Sequence, residues 1–234
     1  MTTFVLLHGA WHSGWSWLPM QSELASLGFH SIALDLPAGE PEAGADRYAE
    51  VVAEAVSATD DDLVVVPHSL AGLYAPMVAT RIGARGVVNL AALTPEPGSS
   101  GLKQSKALSG IYCAEYRIAP MTRHDDGSTS LPEDIAREMM YHDLDEPQIV
   151  EALQHLRRQY WTAWIEPCPL NEWPTGLQYA HVACEGDRVL GAEGMHDGAA
   201  RTNAPLTWIP GGHIPMLSHP QEAAAAVVAA TRAW

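Results

Sequence analysis

Asp62-Leu63-Val64-Val65-Val66-Pro67-His68-Ser69-Leu70-Ala71-Gly72 is the stretch from which the fold can be read. Residues 62–66 make a short β-branched apolar run, the pattern of a strand buried on both faces. Residues 70–82 then read as a helix that stops at Gly83. That leaves Ser69 on a sharp turn between strand and helix. A serine placed there is lifted above a sheet, with the helix N-terminus behind it. The turn is crowded, so the positions two before and two after the serine are normally small. Ala71 fits, whereas Pro67 stands where glycine is usual. Taken alone, the junction could equally be a helix capped by serine.

Working outward, strands and helices alternate. Upstream come a strand at 3–7, a helix at 15–27, a strand at 30–34, a polar loop at 35–46 and a helix at 47–59. Downstream, residues 86–92 form the next strand. The pattern resumes with a strand at 179–184, a helical stretch at 189–203, a strand at 205–209 and a closing helix at 221–234. Such repetition implies an α/β fold whose sheet is mostly parallel, of about six strands, flanked by helices. Between Thr94 and Leu177 the rhythm breaks, with seven prolines from Pro97 to Pro174. Residues 134–141 and 146–159 look helical there, the second with Pro147 near its start. The expected organisation is therefore a core of residues 1–94 and 177–234, with residues 95–176 inserted as a helical cap.

Composition narrows the partners. A length of 234 residues suits one large domain or one domain with an insertion, and 47% apolar with 18% charged content describes a globular rather than a disordered chain. Thirteen basic against 28 acidic residues give −15, which repels phosphate backbones and anionic lipid. Neither nucleic acid nor a membrane is an expected partner. No apolar run nears the ~20 residues that span a bilayer. Strand-like sequence begins at Thr3 and the first basic residue is Arg47, so no secretory leader is expected. Cys113, Cys168 and Cys184 form no CxxC pair and have no basic neighbour, so they read as unreactive thiols in a reduced, cytoplasmic protein.

Two further residues give Ser69 a chemical context. His213 follows the last strand on Gly211-Gly212, and Asp187 follows the strand that ends at Cys184. Ser69, Asp187 and His213 thus each sit at the C-terminal end of a different strand, where open α/β sheets bind ligands. Serine is inert until a base takes its proton, and histidine is suited to that near neutrality. A carboxylate then fixes the imidazole tautomer. Glu96 and Asp35 also follow strands and are rivals for the acid, although Thr94-Pro95-Glu96-Pro97-Gly98 reads more simply as a turn. His68 reads as packing behind the serine turn. His8 and His12 stand four apart on a loop without an acidic third ligand, so no metal is expected, and no cofactor.

The chain resembles the α/β-hydrolases. More narrowly, it is similar to the branch of plant methyl-salicylate-type esterases, hydroxynitrile lyases and their bacterial relatives. The resemblance rests on Phe4 to His12 with Gly14-Trp15, on His68 to Gly72, on Tyr141-His142-Asp143, and on Gly212 to Ser218 with Pro220. It implies Ser69 as nucleophile, His213 as general base, Asp187 as its orienting acid, and the backbone N–H groups of Ala10 and Leu70 as an oxyanion hole. His8 would prop the loop carrying Ala10. Trp11, Trp161 and Ile214 are candidate substrate contacts.

The activity this implies is hydrolysis of a small or medium apolar carboxylic ester through an acyl-enzyme on Ser69. The expected partner is that small-molecule ester, and the assembly allowed for is a homodimer. A hydroxynitrile lyase would share the site, but such lyases place lysine after the histidine and threonine after the first-loop histidine. Here those positions hold Ile214 and Gly9. A tailoring thioesterase or cyclase with the same triad, and a ligand-binding receptor on the same fold, are the other readings.

Overall fold

The computed structural model describes residues 1–117, 119–232 and 234. Its strands are β1 (Thr2–Leu7), β2 (His30–Leu34), β3 (Asp62–Ser69), β4 (Gly86–Ala92), β5 (Thr122–Arg123), β6 (Thr129–Ser130), β7 (Gln178–Cys184) and β8 (Leu206–Ile209). Six of them form one sheet in the order β2-β1-β3-β4-β7-β8, and every neighbouring pair is parallel. The apolar runs explain the centre: β1 is buried from Thr3 to Leu7, β3 from Leu63 to His68, and β4 throughout. Helix Leu18–Ser26 packs with Pro220–Thr231, and Ala45–Val56 with Ala75–Arg81, so both groups flank the sheet. Among the described residues no helix is long and apolar enough to cross a membrane.

One expected helix is split. Residues 70–82 form a 3₁₀ turn at Leu70–Leu73 and then a seven-residue α-helix, Ala75–Arg81. Pro76 cannot donate a helical hydrogen bond, and Tyr74, at φ −116°, separates the two pieces. A similar 3₁₀ turn, Gly14–Trp17, precedes the helix at Leu18, where Pro19 occupies the first turn. The helix expected at 146–159 ends at Gln154 and begins with a capping box between Asp145 and Gln148.

Residues 95–176 lie between β4 and β7. They hold the helix Gly101–Ala107, the two-stranded β5–β6 sheet and the helical turn Glu133–Ile135, which runs on as a π-helix, Ala136–Met140. Ile111, Leu131, Ile135, Met139, Met140 and Tyr141 are buried in the same apolar cluster as the sheet. Met139 and Met140 are thus core residues. A turn at His124 joins β5 to β6, with Asp126 accepting from the Ser128 N–H and bonded to Arg158.

Candidate active site

Ser69 ends β3 with φ 51° and ψ −120°, a conformation that costs a non-glycine residue about 1–3 kcal/mol. Its neighbours compel it. The Ser69 carbonyl accepts from Leu93 N at 3.0 Å, and the β3–β4 register shifts between His68 and Ser69. The register pairs His68 with Leu90 and Ser69 with Ala92, so Ala91 is the extra residue, itself at φ 42°. Gly72 has no room for a side chain: a Cβ there would lie 1.8 Å from the Leu93 carbonyl oxygen. Pro67 is accommodated one residue before the shift, within a central strand where proline is unusual.

His213 comes from the loop after β8, three strand positions from β3 in the sheet, roughly 14 Å away at ordinary strand spacing. The loop 210–212 brings it back. His213 Nε2 lies 3.0 Å from Ser69 Oγ, and Nδ1 lies 2.9 Å and 3.1 Å from the two oxygens of Asp187. A carboxylate only accepts, so Nδ1 carries the proton and Nε2 is free to accept from the serine hydroxyl. Asp187 is fixed in turn, because its Oδ1 accepts from Val189 N at 2.7 Å and Leu190 N at 2.9 Å. The imidazole and the carboxylate side chains are 1% and 5% exposed. Water therefore screens their interaction little.

The two rival acids lie elsewhere. Glu96 is exposed on a turn closed by Ser99 N to its carbonyl. Asp35 accepts from Gly14 N at 2.8 Å and pairs with Arg157 at 2.8 Å, which draws its pKa down despite partial desolvation.

The loop after β1 passes close to the serine. A Cβ on Gly9 would stand 2.8 Å from Ser69 Cβ and 2.8 Å from His68 Nδ1, so only glycine fits there. His8 Nε2 accepts from Leu36 N at 2.9 Å, which puts its proton on Nδ1, and Nδ1 donates to the Gly9 carbonyl at 2.9 Å. In a trans peptide the next N–H, that of Ala10, points the opposite way. His12 Nδ1 likewise donates to the Ala10 carbonyl at 2.8 Å, while its Nε2 accepts from Tyr141 Oη at 2.8 Å. Both ring nitrogens of each histidine are thus engaged, which leaves no lone pair for a metal. The Leu70 N–H starts a 3₁₀ turn, so the expected helix dipole behind Ser69 is reduced to the local N–H groups of that turn.

Trp11, at φ 60°, is held by residues of the 95–176 segment. Its Nε1 and that of Trp161 both donate to Thr129 Oγ1, at 3.2 and 2.8 Å, and the two rings meet edge to face at 5.2 Å. Arg157 N donates to the Trp11 carbonyl at 2.8 Å. Of the three candidate substrate contacts, Trp11 and Ile214 are enclosed at 1% exposure and Trp161 is partly exposed. Two small cavities lie under the inserted segment, both lined by Leu73, Gly101 and Gln104 and neither by Ser69. His68 does more than pack: its Nε2 donates to the His213 carbonyl at 2.7 Å. Nothing in the sequence pattern pointed to that bond, or to the contacts of Thr129 and Arg157. Burial raises the pKa of Cys113, with Asp187 and Glu115 adding to it, so it is a poor nucleophile.

The buried histidines predict an acid limit. Burial lowers His8, His12 and His181 from 6.5 to about 4, and holds His68 well down too. Between those values the unfolded chain binds more protons than the folded one. Stability is therefore full above pH 6.5 and lost as the pH falls toward about 4, by about 3 kcal/mol for each such histidine. Thermal midpoints measured from pH 7 to 4 should fall steeply, and His181→Gln should shallow the slope by about one proton. A midpoint that is flat over this range would contradict the neutral buried histidines.

Residues 4–227 match the model of the alpha/beta hydrolase family. The chain belongs to that family. It is 32% identical over 140 residues to the carbendazim hydrolyzing esterase of Nocardioides sp. (strain SG-4G), a match covering 53% of this chain and 57% of that protein. The chain thus spans little more than half the length of that curated relative. Among solved structures, the fold superimposes on the methylesterase MES16 from Arabidopsis with a TM-score of 0.81 at 18% identity, over 100% of both chains. A pyrethroid hydrolase from Sphingobium faniae JZ-2 matches with a TM-score of 0.80 at 19% identity, over 97% of this chain and 96% of that one. At such identities these two likenesses speak for the α/β-hydrolase fold.

Proposed function

We propose that the protein is a serine esterase acting on a small or medium apolar carboxylic ester. The observation that carries this reading is the line Ser69–His213–Asp187, with Ser69 Oγ 3.0 Å from His213 Nε2 and Asp187 Oδ2 2.9 Å from His213 Nδ1. In the proposed reaction Ser69 Oγ attacks the ester carbonyl carbon while His213 Nε2 takes its proton. Ala10 and Leu70 N–H stabilise the oxyanion, in a site where such donors are each worth roughly 3 kcal/mol. Collapse of the intermediate breaks the bond to the alkoxy oxygen, which leaves with the proton from His213. Water, deprotonated by the same imidazole, then releases the acid from Ser69. Asp187 keeps the proton on Nδ1 and balances the imidazolium that forms. The esterase named as a relative lends support, and Trp161 is the aromatic proposed to contact the acyl or alkoxy group.

The lyase reading requires a positive charge beside a developing cyanide in a site poor in water. Ile214, next to His213, supplies none, and Gly9 leaves no space for a larger residue beside Ser69. Purified protein should therefore hydrolyse members of a p-nitrophenyl and methyl ester series graded in chain length and aromaticity, and leave mandelonitrile untouched. A fluorophosphonate should label Ser69. Cyanide release without turnover of any ester would replace this reading with the lyase, and failure to label would favour a receptor.

A further inference from the structure

Two loops must hold still for this chemistry, the one bearing the Ala10 N–H and the one bearing His213, and one short segment touches both. Tyr141-His142-Asp143 follows the π-helix Ala136–Met140. Tyr141 is fully enclosed, and its Oη donates to His12 Nε2 at 2.8 Å. His12 passes that constraint to the Ala10 carbonyl through Nδ1. Two residues on, Asp143 Oδ2 accepts from Gly212 N at 2.5 Å and lies 3.6 Å from His219 Nδ1. Gly212 immediately precedes His213. The carbonyls on either side of it are held from the core, Gly211 by Gly186 N at 2.9 Å and His213 by His68 Nε2 at 2.7 Å. Asp143 is the one of these three anchors that comes from the inserted segment.

Resting on the esterase reading of Ser69, we propose that Tyr141 and Asp143 form a clamp that sets the spacing between the oxyanion loop and the His213 loop. Both are positioning residues, acting through His12 and through the Gly212 peptide. The polar groups involved argue for more than packing. A phenol buried for its volume alone has no need of a histidine that itself holds a backbone carbonyl. The Asp143 carboxylate spends one oxygen on a single peptide, while its Oδ1 is buried without a partner among the described residues. Displacements of an ångström in such loops are enough to cost large factors in rate, because reacting groups lose their alignment.

The test compares wild type with Tyr141→Phe, Asp143→Ala, Asp143→Asn and the double variant Tyr141→Phe/Asp143→Ala on one aryl ester. Tyr141→Phe and Asp143→Ala should each lower kcat roughly 10- to 100-fold with KM nearly unchanged, since the loss falls on the transition state. Asp143→Asn, whose amide oxygen still accepts from Gly212, should recover most of that loss. The double variant should lose less than the product of the two, because both act on one spacing. Imidazole NMR gives a readout that does not depend on turnover. The His12 Nδ1–H resonance should shift in Tyr141→Phe, and the Asp187-bonded His213 Nδ1–H resonance in Asp143→Ala. Tyr141→Phe keeps the enclosed ring, so it decides the matter even if Asp143→Ala fails to fold. Folded variants with wild-type kcat and unmoved resonances would overturn the clamp, as would losses confined to KM or to thermal midpoint. An unmodified protein that turned over no ester would instead overturn the esterase reading, with the resonances still judging the clamp.

Discussion

Ser69→Ala is expected to abolish ester turnover, with a fall in kcat on the order of 10⁵- to 10⁶-fold. The rate that survives is what the Ala10 and Leu70 donors and substrate binding supply without a nucleophile, roughly 10³-fold over water. Stability should hardly change. Ser69 Oγ is bonded to His213 Nε2, the backbone carbonyl rather than the side chain ties the turn to Leu93, and alanine meets the same positive φ. A thermal midpoint within a few degrees of wild type, together with lost turnover and lost fluorophosphonate labelling, is the expected set. Activity within tenfold of wild type would remove Ser69 from the mechanism.

The sheet is legible in the sequence because a parallel strand buried on both faces must be apolar almost throughout, as β3 and β4 are. Ser69, Asp187 and His213 are legible for the same reason. Once the strands are located, each residue's place at a strand end follows from counting. Helix ends are less so. The run 70–82 has helical spacing, but Pro76 and the close approach of Gly72 to Leu93 divide it, and the second constraint joins residues that are distant in sequence. The inserted segment is the least legible part. Its π-helix and two-stranded sheet are fixed by long-range contacts, such as Thr129 Oγ1 receiving the indoles of Trp11 and Trp161. Tyr141 and Asp143 stood out only as a motif. What they do depends on which backbone groups lie within reach, and no periodicity encodes that.

Asp187→Asn should cost about 10⁴-fold in kcat, while Glu96→Gln should change it by less than about twofold. The hydrogen bonds around Asp187 make the first figure a consequence of geometry. Val189 N and Leu190 N both donate to Oδ1, so an asparagine must keep its oxygen there and turn its NH₂ toward His213 Nδ1. A donor facing Nδ1 drives the imidazole proton to Nε2, and Nε2–H cannot accept the proton of Ser69. The base is then present, correctly placed and in the wrong tautomer. KM should move little, because binding of the ester does not need that proton. Glu96 has no such route to the reaction, being exposed on a turn that its backbone carbonyl closes. If Glu96→Gln were instead the damaging change and Asp187→Asn the mild one, the orienting acid would have to lie after β4. The 2.9 Å contact between Asp187 and His213 would then be a hydrogen bond without a part in turnover.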